Sequence, residues 1–539
     1  MTRPTPSLPR LRAAAAAALC AALAAGCGDD FITETPAGTV TPENFYRSSA
    51  DALAAVNTVY AGFINLPSPF GNSDYLGRNL WMLVEYPTET VTSRLSAANE
   101  RSLIGNYNPQ FSSSHPYLIS VWQAAYAGIN RANAVIARVP AVPMDTVRRA
   151  QIVGEAKFLR ALHYYWLAGL FGGVPLKLEE TTAIDAPVPA RATAADTYAQ
   201  IAKDLTEAAA VLPAGWPNTD NGRATRGAAL ALLGKAYLQS AATGASADAA
   251  GDYQKALDAL RTVSTLGYTL DANYASLFDG TNEQSREIIF SFQNTRVAGL
   301  GGTMTQWFAP VTNPSLTLFI AQNQFQAERP FYDSYNAADV RKAGTWLTSF
   351  SNAGKTVTWA WTSGIQTSAN YGSTGPVPRK YLDLGASATN AEAPDFVILR
   401  YGDVRLSMAE AINAVSGPTS EALTLVNEIR GRAKVPNLRT GLTQAQFRDS
   451  LFAERRFELA MENHGVFDSR RNWPWAKARV EANMAVIRTA NASPFTSSVE
   501  KADTRPIADK WRLYPIPLQA CQLNPQLVQN PGWSDGVCK

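Results

Sequence analysis

The chain has 539 residues, of which 46% are hydrophobic and 17% are charged, and its formal net charge at pH 7 is +3. This length allows more than one domain, but no stretch rich in proline, glycine or serine is long enough to separate two hydrophobic cores, so we expect one large domain with a long insertion. The nearly balanced charge excludes the basic surface that nucleic acid requires, and we expect no nucleic-acid partner.

Residues 1–26 have the pattern of a targeting segment and are set apart from the fold. A basic start is followed by an apolar run, residues 13–25, which is too short to cross a bilayer as a helix of about 20 residues. Small residues then precede Cys27, as lipoprotein signal peptidase requires, so we predict that acyl chains on Cys27 anchor the protein. The alternative is an ordinary secretory signal with an incidental cysteine. Cys20 fits less well because Leu19 directly precedes it.

Removal of this leader changes the charge balance. The leader carries three arginines and no acidic residue, which reduces the 48 basic residues to 45 against 45 acidic ones. The mature chain is therefore close to neutral. Residues 27–45 are predicted to form a lipidated tether, and the acidic pair Asp29–Asp30 resembles the surface-export signal of some Gram-negative lipoproteins.

Helical periodicity dominates residues 46–267, which we predict to form one helical part. Its clearest helix lies in Gly154–Pro175 and is apolar nearly all round, which indicates burial between neighbouring elements. Gly172-Gly173 is expected to end this helix, since glycine favours the helix C-terminus. The secondary structure of residues 80–91 is ambiguous from the sequence. The helices predicted in this part span 51–64, 116–139, 146–170, 193–212, 225–242 and 252–266.

Successive helices joined by short turns favour a helical-repeat architecture of the tetratricopeptide kind. Residues 227–237 (GAALALLGKAY) resemble the closely packed helix of such a repeat. A strict period of about 34 residues is not visible, however, so any repeats are irregular.

The periodicity and the residue composition change over residues 268–395. Helical periodicity is lost, and glycine, asparagine, serine, threonine and aromatic residues dominate. Short strands are predicted at 287–292 and 356–361. Because loops carry binding residues more often than packed scaffolds do, we predict an irregular module inserted between two helical parts.

Helices resume in the last part, residues 396–539. A disulfide between Cys521 and Cys538 is predicted, since two cysteines close in sequence in an exported chain favour a bond, whereas zinc would need further ligands nearby. The elements predicted here are helices at 399–415, 420–433 and 444–462, a long polar segment to Pro506, an extended piece at 511–517 and a turn-rich stretch at 524–533.

Known catalytic and cofactor motifs are absent from the sequence. Its three histidines lie at no metal-ligand spacing, and neither His-Glu-x-x-His nor Gly-x-Ser-x-Gly occurs. Gly354-Lys355-Thr356 lacks the first glycine of a phosphate loop. We interpret Glu454 and Glu458, which share a helix face, as structural carboxylates. We therefore expect no metal, no cofactor and no enzymatic activity.

Five stretches, in order along the chain, resemble the SusD/RagB family of outer-membrane nutrient-binding lipoproteins. Phe467 and Ser469 depart from that family's usual WFDLRR segment. The five stretches are GEAKFLRALHYYWLAGLFGGVPL (154–176), YGDVRLSMAEAINAV (401–415), LVNEIRGRAKVPNL (425–438), LFAERRFELAMENHGVFDSRRN (451–472) and LYPIPLQACQLNPQLVQNPGW (513–533).

This resemblance implies a mainly α fold, a SusD-like scaffold of about four tetratricopeptide-like helix pairs carrying an irregular, loop-rich inserted module. It also implies a lipid anchor on the outer face of the outer membrane and a SusC-like TonB-dependent transporter as partner. The protein would be the lid of that transporter and would capture a nutrient, most often an oligosaccharide, without altering it.

Saccharide sites combine aromatic platforms with side chains that reach hydroxyl groups. For each single tryptophan, core packing is the more common role. Three alternatives stay open: the same architecture binding peptide or another small nutrient, a surface glycan hydrolase, and a tetratricopeptide adaptor without a small ligand. The candidate ligand-binding residues are Arg78, Asn79, Trp81, Trp307, Trp359, Trp361 and Tyr371.

Overall fold

The computed structural model describes residues 45–64, 75–93, 100–105, 107–183, 186–309, 322–352, 355–358, 376–388, 390–489, 506–534 and 537–539. These residues fall into two units, 1–47 and 48–539, and every helix and strand named below belongs to the second. The predicted signal peptide and the lipidated Cys27 lie outside the described residues.

Most of the described structure is helical, as predicted. A π-helical turn, Tyr75–Asn79, precedes the second helix. The helices are α1 Ser49–Ala61, α2 Leu80–Glu85, α3 Glu100–Gly105, α4 Pro116–Arg138, α5 Thr146–Phe171, α6 Ala194–Val211, α7 Arg226–Ala242, α8 Ala249–Ser264, α9 Met304–Phe308, α10 Arg329–Asp333, α11 Val340–Thr345, α12 Tyr401–Ser416, α13 Ser420–Arg432, α14 Gln444–Leu459, α15 Gly465–Arg471, α16 Trp473–Thr489 and α17 Leu518–Leu523.

The strands form only two-stranded antiparallel sheets, β1 with β3, β2 with β8, β4 with β7 and β5 with β6. The β2–β8 pair joins the beginning of the irregular module to its end, which fixes the module on the helices. The strands are β1 Val91–Ser93, β2 Ile288–Phe292, β3 Phe325–Ala327, β4 Trp346–Leu347, β5 Ser349–Asn352, β6 Lys355–Thr358, β7 Val377–Pro378 and β8 Phe396–Arg400.

Helix α5 is the central helix of the scaffold and confirms the predicted buried segment. The Asp145 side chain caps its first turn by accepting from the Arg148 amide at 2.8 Å. Gly172 ends it with a φ of 77°. All its residues from 154 to 171 except Lys157 are buried. Gly169 permits the close approach of Phe467, because a Cβ at this position would overlap the phenyl ring.

The helices pack in chain order: α4 on α5, α5 on α6, α6 on α7 and α7 on α8. Helix α12 then packs on α8, although residues 265–400 separate the two in sequence, and α13 and α14 pack on α12. One continuous helical array is thus interrupted in sequence, but not in space, by the irregular module. This arrangement buries a core that successive helix pairs share.

Three sequence-based expectations were wrong. The helix predicted to begin at residue 399 begins at Tyr401, because residues 399 and 400 are the end of strand β8, which pairs with β2. The predicted polar segment before Pro506 contains helices α15 and α16. The spacing of Arg455 and Glu458 within the predicted helix 444–462 also predicts an ion pair on its surface. Both residues are instead buried, and each bonds to other partners.

Buried charges join helix α14 to the irregular module. Glu458 accepts hydrogen bonds from Arg400 at 2.6 Å and Arg341 at 3.1 Å, and Arg432 is a third partner. Arg341 also donates to Glu454 at 2.6 Å, which confirms that these two glutamates are structural. A buried carboxylate is tolerated only when it is paired and hydrogen-bonded, so this network fixes the module's position.

Within the described residues, no helix combines the length and the apolar content that crossing a bilayer would require.

Candidate functional site

Arg78 lies at the centre of a cluster built from three elements. It belongs to the π-helical turn before α2, and such turns are frequent at functional sites. Its guanidinium carbon lies 4.6 Å from the ring centroid of Trp307 in α9 and 5.8 Å from that of Tyr117 in α4. We call Arg78, Asn79, Tyr117, Ser120 and Trp307 the Arg78 cluster.

Asn79 fixes the orientation of the arginine. Its side-chain carbonyl accepts from Arg78 Nε at 2.9 Å, and its amide nitrogen donates to Ser120 Oγ at 2.9 Å. Asn79 is buried, whereas Arg78 is half-buried. Within the predicted pair, Asn79 therefore positions the guanidinium of Arg78.

Trp81 is a core residue, which corrects its prediction as a stacking platform. The side chain is 2% exposed, and its ring packs edge-on against Phe308 and Tyr381 at centroid distances of 5.7 and 5.5 Å. A ring enclosed in this way presents no face to a sugar. Trp81 is the second residue of a helix whose residues are all buried, so packing determines its role.

Trp307 is also largely buried, at 4% exposure, and Arg78 covers it. This geometry is a cation–π contact, and it corrects the prediction of an open platform at this position. The indole Nε1 has no hydrogen-bond partner in the structure. Trp307 therefore contributes to the cluster by holding Arg78 in place.

Sequence reasoning missed one polar residue near α9. Asn323 is fully buried, and within the part of the chain that the structure describes neither its amide nitrogen nor its amide oxygen has a hydrogen-bond partner. Its φ of 44° is in the left-handed region, which asparagine tolerates better than most residues. An unmet buried amide is uncommon in folded proteins. The sequence carried no signal for it, since asparagines are frequent throughout the module.

A buried glutamate is hydrogen-bonded to the first turn of α9. Glu392, 1% exposed, accepts from the Thr305 amide at 2.8 Å, and burial raises the pKa of Glu392 to about 8. Its carboxyl is therefore largely protonated at neutral pH and adds little negative charge beneath the Arg78 cluster. Among the five residues of the Arg78 cluster, only Arg78 carries a charge.

The remaining predicted residues fall into two groups. Trp359, Trp361 and Tyr371 lie outside the described residues. Cys521 and Cys538 have Cα atoms 5.2 Å apart, a separation that a disulfide spans, and are drawn as bonded. The disulfide stays a prediction, and it would close the C-terminal tail.

Comparisons with known proteins give a consistent result. A family model described as "SusD family" matches residues 247–533, and one described as "Starch-binding associating with outer membrane" matches residues 71–238. The SusD-like protein P2 of Formosa agariphila is 26% identical over 489 residues, which cover 83% of this chain and 88% of the relative. The starch-binding protein SusD of Bacteroides thetaiotaomicron is 25% identical over 432 residues, covering 70% and 72%.

One solved structure extends the likeness to the fold. Surface glycan-binding protein A from Bacteroides thetaiotaomicron, in complex with laminarihexaose, superposes with a TM-score of 0.69 at 19% identity. The match covers 90% of this chain and 99% of that one. The helical array and the irregular module therefore belong to one shared architecture.

Proposed function

Because the chain belongs to the SusD family, we propose that it is a surface lipoprotein that binds oligosaccharides and passes them, unaltered, to a SusC-like TonB-dependent transporter of the outer membrane. A relative named as starch-binding supports a saccharide ligand. A structural neighbour whose name includes laminarihexaose supports it further. Both are named as binding proteins, which favours capture without chemical change.

The Arg78 cluster carries the assignment of the ligand site. A guanidinium held over an aromatic ring and oriented by an amide offers several N–H donors in a fixed plane. Sugar hydroxyls are good acceptors for such donors. Trp359, Trp361 and Tyr371 stay the proposed stacking platforms, since saccharide recognition also needs an exposed aromatic face.

Calorimetric titration with soluble glucan oligosaccharides tests this site. We expect Arg78→Ala to weaken binding about tenfold or more, because each hydrogen bond to a charged group contributes about 1.5–3 kcal/mol. Trp359→Ala and Trp361→Ala should each weaken binding if they stack on the ligand. Arg261→Ala is the matched control, since Arg261 is exposed and pairs with Glu421 at 2.8 Å on the surface of the array.

Equal affinity of the Arg78→Ala variant and the wild type for a bound oligosaccharide would refute the site. Binding of a peptide panel with no saccharide binding would favour the peptide-carrying alternative. Cleavage of a polysaccharide by the pure protein would establish the hydrolase alternative. Circular dichroism of each variant verifies that the helical array is intact.

The membrane anchor and the transporter partner have separate tests. Cys27→Ser should release the protein from the membrane fraction, and its persistence there would contradict the predicted lipid anchor. Mild-detergent pull-down from outer membranes should recover a large β-barrel protein. Recovery of the lipoprotein alone, under conditions that preserve other outer-membrane complexes, would count against the transporter partnership.

A further inference from the structure

A cavity of about 570 Å³ lies among the helical array, helix α15 and the C-terminal segment. The ends of α5 and α7, the first turn of α6, Arg470 of α15 and residues 509–513 and 530–532 line it. Ligand sites in proteins commonly enclose about 300–1,000 Å³. The cavity shares no residue with the Arg78 cluster.

Arg470 is exceptional among the buried arginines of the described structure. The other buried arginines each lie within 3.3 Å of a carboxylate oxygen, whereas Arg470 forms no ion pair with a described carboxylate. Those other arginines are Arg160, Arg341, Arg400, Arg455 and Arg456.

Arg470 retains unused hydrogen-bonding capacity. Its Nη1 donates to the Gly169 carbonyl near the end of α5, and its guanidinium carbon lies 5.1 Å from the Tyr514 ring centroid. Its Nε and Nη2 have no hydrogen-bond partner among the described residues, and Arg470 is 4% exposed. Capping of α5 thus accounts for one nitrogen and leaves a buried charge that no carboxylate compensates.

The other charged groups of the cavity are mainly cationic. Lys510 and Arg512 line it and form no ion pair in the described structure, and the Lys510 ammonium lies 4.0 Å from the Trp533 ring centroid. Asp509 is the only carboxylate among the lining residues. Its Oδ1 already accepts from Trp473 Nε1 at 3.0 Å and lies 3.6 Å from Lys477 Nζ.

We propose that this cavity binds a small molecule through one oxyanion group, a carboxylate or a sulfate. Such a group would compensate the buried charge of Arg470 and pair with Lys510 at the entrance. The first turn of α6, at Ala194, adds the positive end of a helix dipole to the same cavity. The volume admits an acidic sugar as well as an inorganic ion. The proposal does not depend on saccharide binding at the Arg78 cluster.

Calorimetric titrations with sodium glucuronate, sodium sulfate and glucose, at constant ionic strength, test the proposal with the full mature chain. We expect saturable binding of at least one anion and none of glucose. Arg470→Gln should weaken anion binding about 10- to 100-fold, because it removes a charged donor. Arg448→Gln is the matched control, since Arg448 is an exposed arginine of α14 whose partner is Asp449.

Each outcome decides between the alternatives. Glucuronate binding alone supports a uronate-type carboxylate, and sulfate binding alone supports a sulfate ester or the free ion. Absence of saturable anion binding, or equal affinities in wild type and Arg470→Gln, overturns the proposal. If Arg470→Gln does not fold, Lys510→Met replaces it: a severalfold weaker affinity supports the site, and an unchanged affinity overturns it. Unchanged oligosaccharide affinity in either variant separates this cavity from the Arg78 cluster.

Discussion

Replacement of Glu458 by glutamine tests how the irregular module is held on the helical array. Glu458 is fully buried in α14 and is shared by three arginines, Arg400, Arg341 and Arg432. Glutamine has nearly the same shape, but it carries no charge and replaces one acceptor oxygen with a donor. The three guanidiniums would then have a single neutral carbonyl oxygen at this position to donate to, because the amide N–H₂ group is itself a donor.

The expected loss is large for a single substitution. Removal of one member of a buried ion pair costs about 3–5 kcal/mol. Arg341, Arg400 and Arg432 each keep another carboxylate partner, so the cost arises because the buried network is left with one negative charge fewer. Glu421→Gln is the matched control, since Glu421 pairs with Arg261 at 2.8 Å with both side chains about half exposed. A surface pair of this kind contributes about 0–1 kcal/mol.

Urea unfolding followed by circular dichroism measures both variants. A lower midpoint with an unchanged slope reports a pure loss of stability. We expect a decrease of about 3–5 kcal/mol for Glu458→Gln and less than about 1 kcal/mol for Glu421→Gln. Equal and small losses in the two variants would refute the reasoning, since the network would then contribute no more than a surface pair.

The pH dependence gives a second test of the same residue. Burial raises the pKa of Glu458, but Arg432, Arg400 and Arg341 outweigh this effect and hold the pKa well below its usual range. The stability that this carboxylate contributes is therefore fully present above its unfolded pKa of about 4.3 and is lost as the pH falls toward the folded value. The difference between wild type and Glu458→Gln should shrink below about pH 4.

Three further predictions concern other parts of the molecule. Burial raises the pKa of Glu392 to about 8, so its contribution to stability should fall as pH rises from about 4.5 to about 8. Urea unfolding at both ends of this pH range should show a smaller loss of stability for Glu392→Gln than for the wild type. An identical loss in the two proteins would contradict the raised pKa of Glu392. Gly169→Ala should cost about 1–3 kcal/mol in the same assay, because the added methyl overlaps the facing phenyl ring. Gly431→Ala, in helix α13 with open space around it, should be neutral or slightly stabilising. Titration of the denatured, unreduced mature protein with a thiol reagent should detect neither Cys521 nor Cys538, and two reactive thiols would exclude their disulfide.

Local patterns determined most of the helices. Helix α5 was predictable because its side chains are apolar on nearly every face and Gly172 supplies a stop. Helices α6 and α7 were predictable because Thr193 and Thr225 cap an amphipathic or small-residue run. These signals depend on neighbours within a few residues, so the sequence contains them in full.

Polar composition hid two helices. Helix α15 contains Asp468, Arg470 and Arg471, and a segment of this kind suggests a solvated loop. The structure buries Asp468 and Arg470 and leaves only 3% of the Arg471 side chain exposed. Asp468 and Arg471 pair with each other and with residues of α14 and α12. Whether a charge is solvated or paired depends on residues distant in sequence, so local pattern could not decide it.

The aromatic residues show the same division between sequence and tertiary structure. The chain contains 12 tryptophans, and the sequence alone could not separate those that fill the core from those with a ring face exposed to a ligand. Trp81 and Trp307 are buried because α2, α9 and the module enclose them, whereas Arg78 is partly exposed. The sequence by itself determined most of the long helices, their ends and the family, since these follow from local spacing and motif order. Only the tertiary structure decided which carboxylate each buried arginine meets and which arginine meets no described carboxylate, because many of those contacts join elements that are distant in sequence.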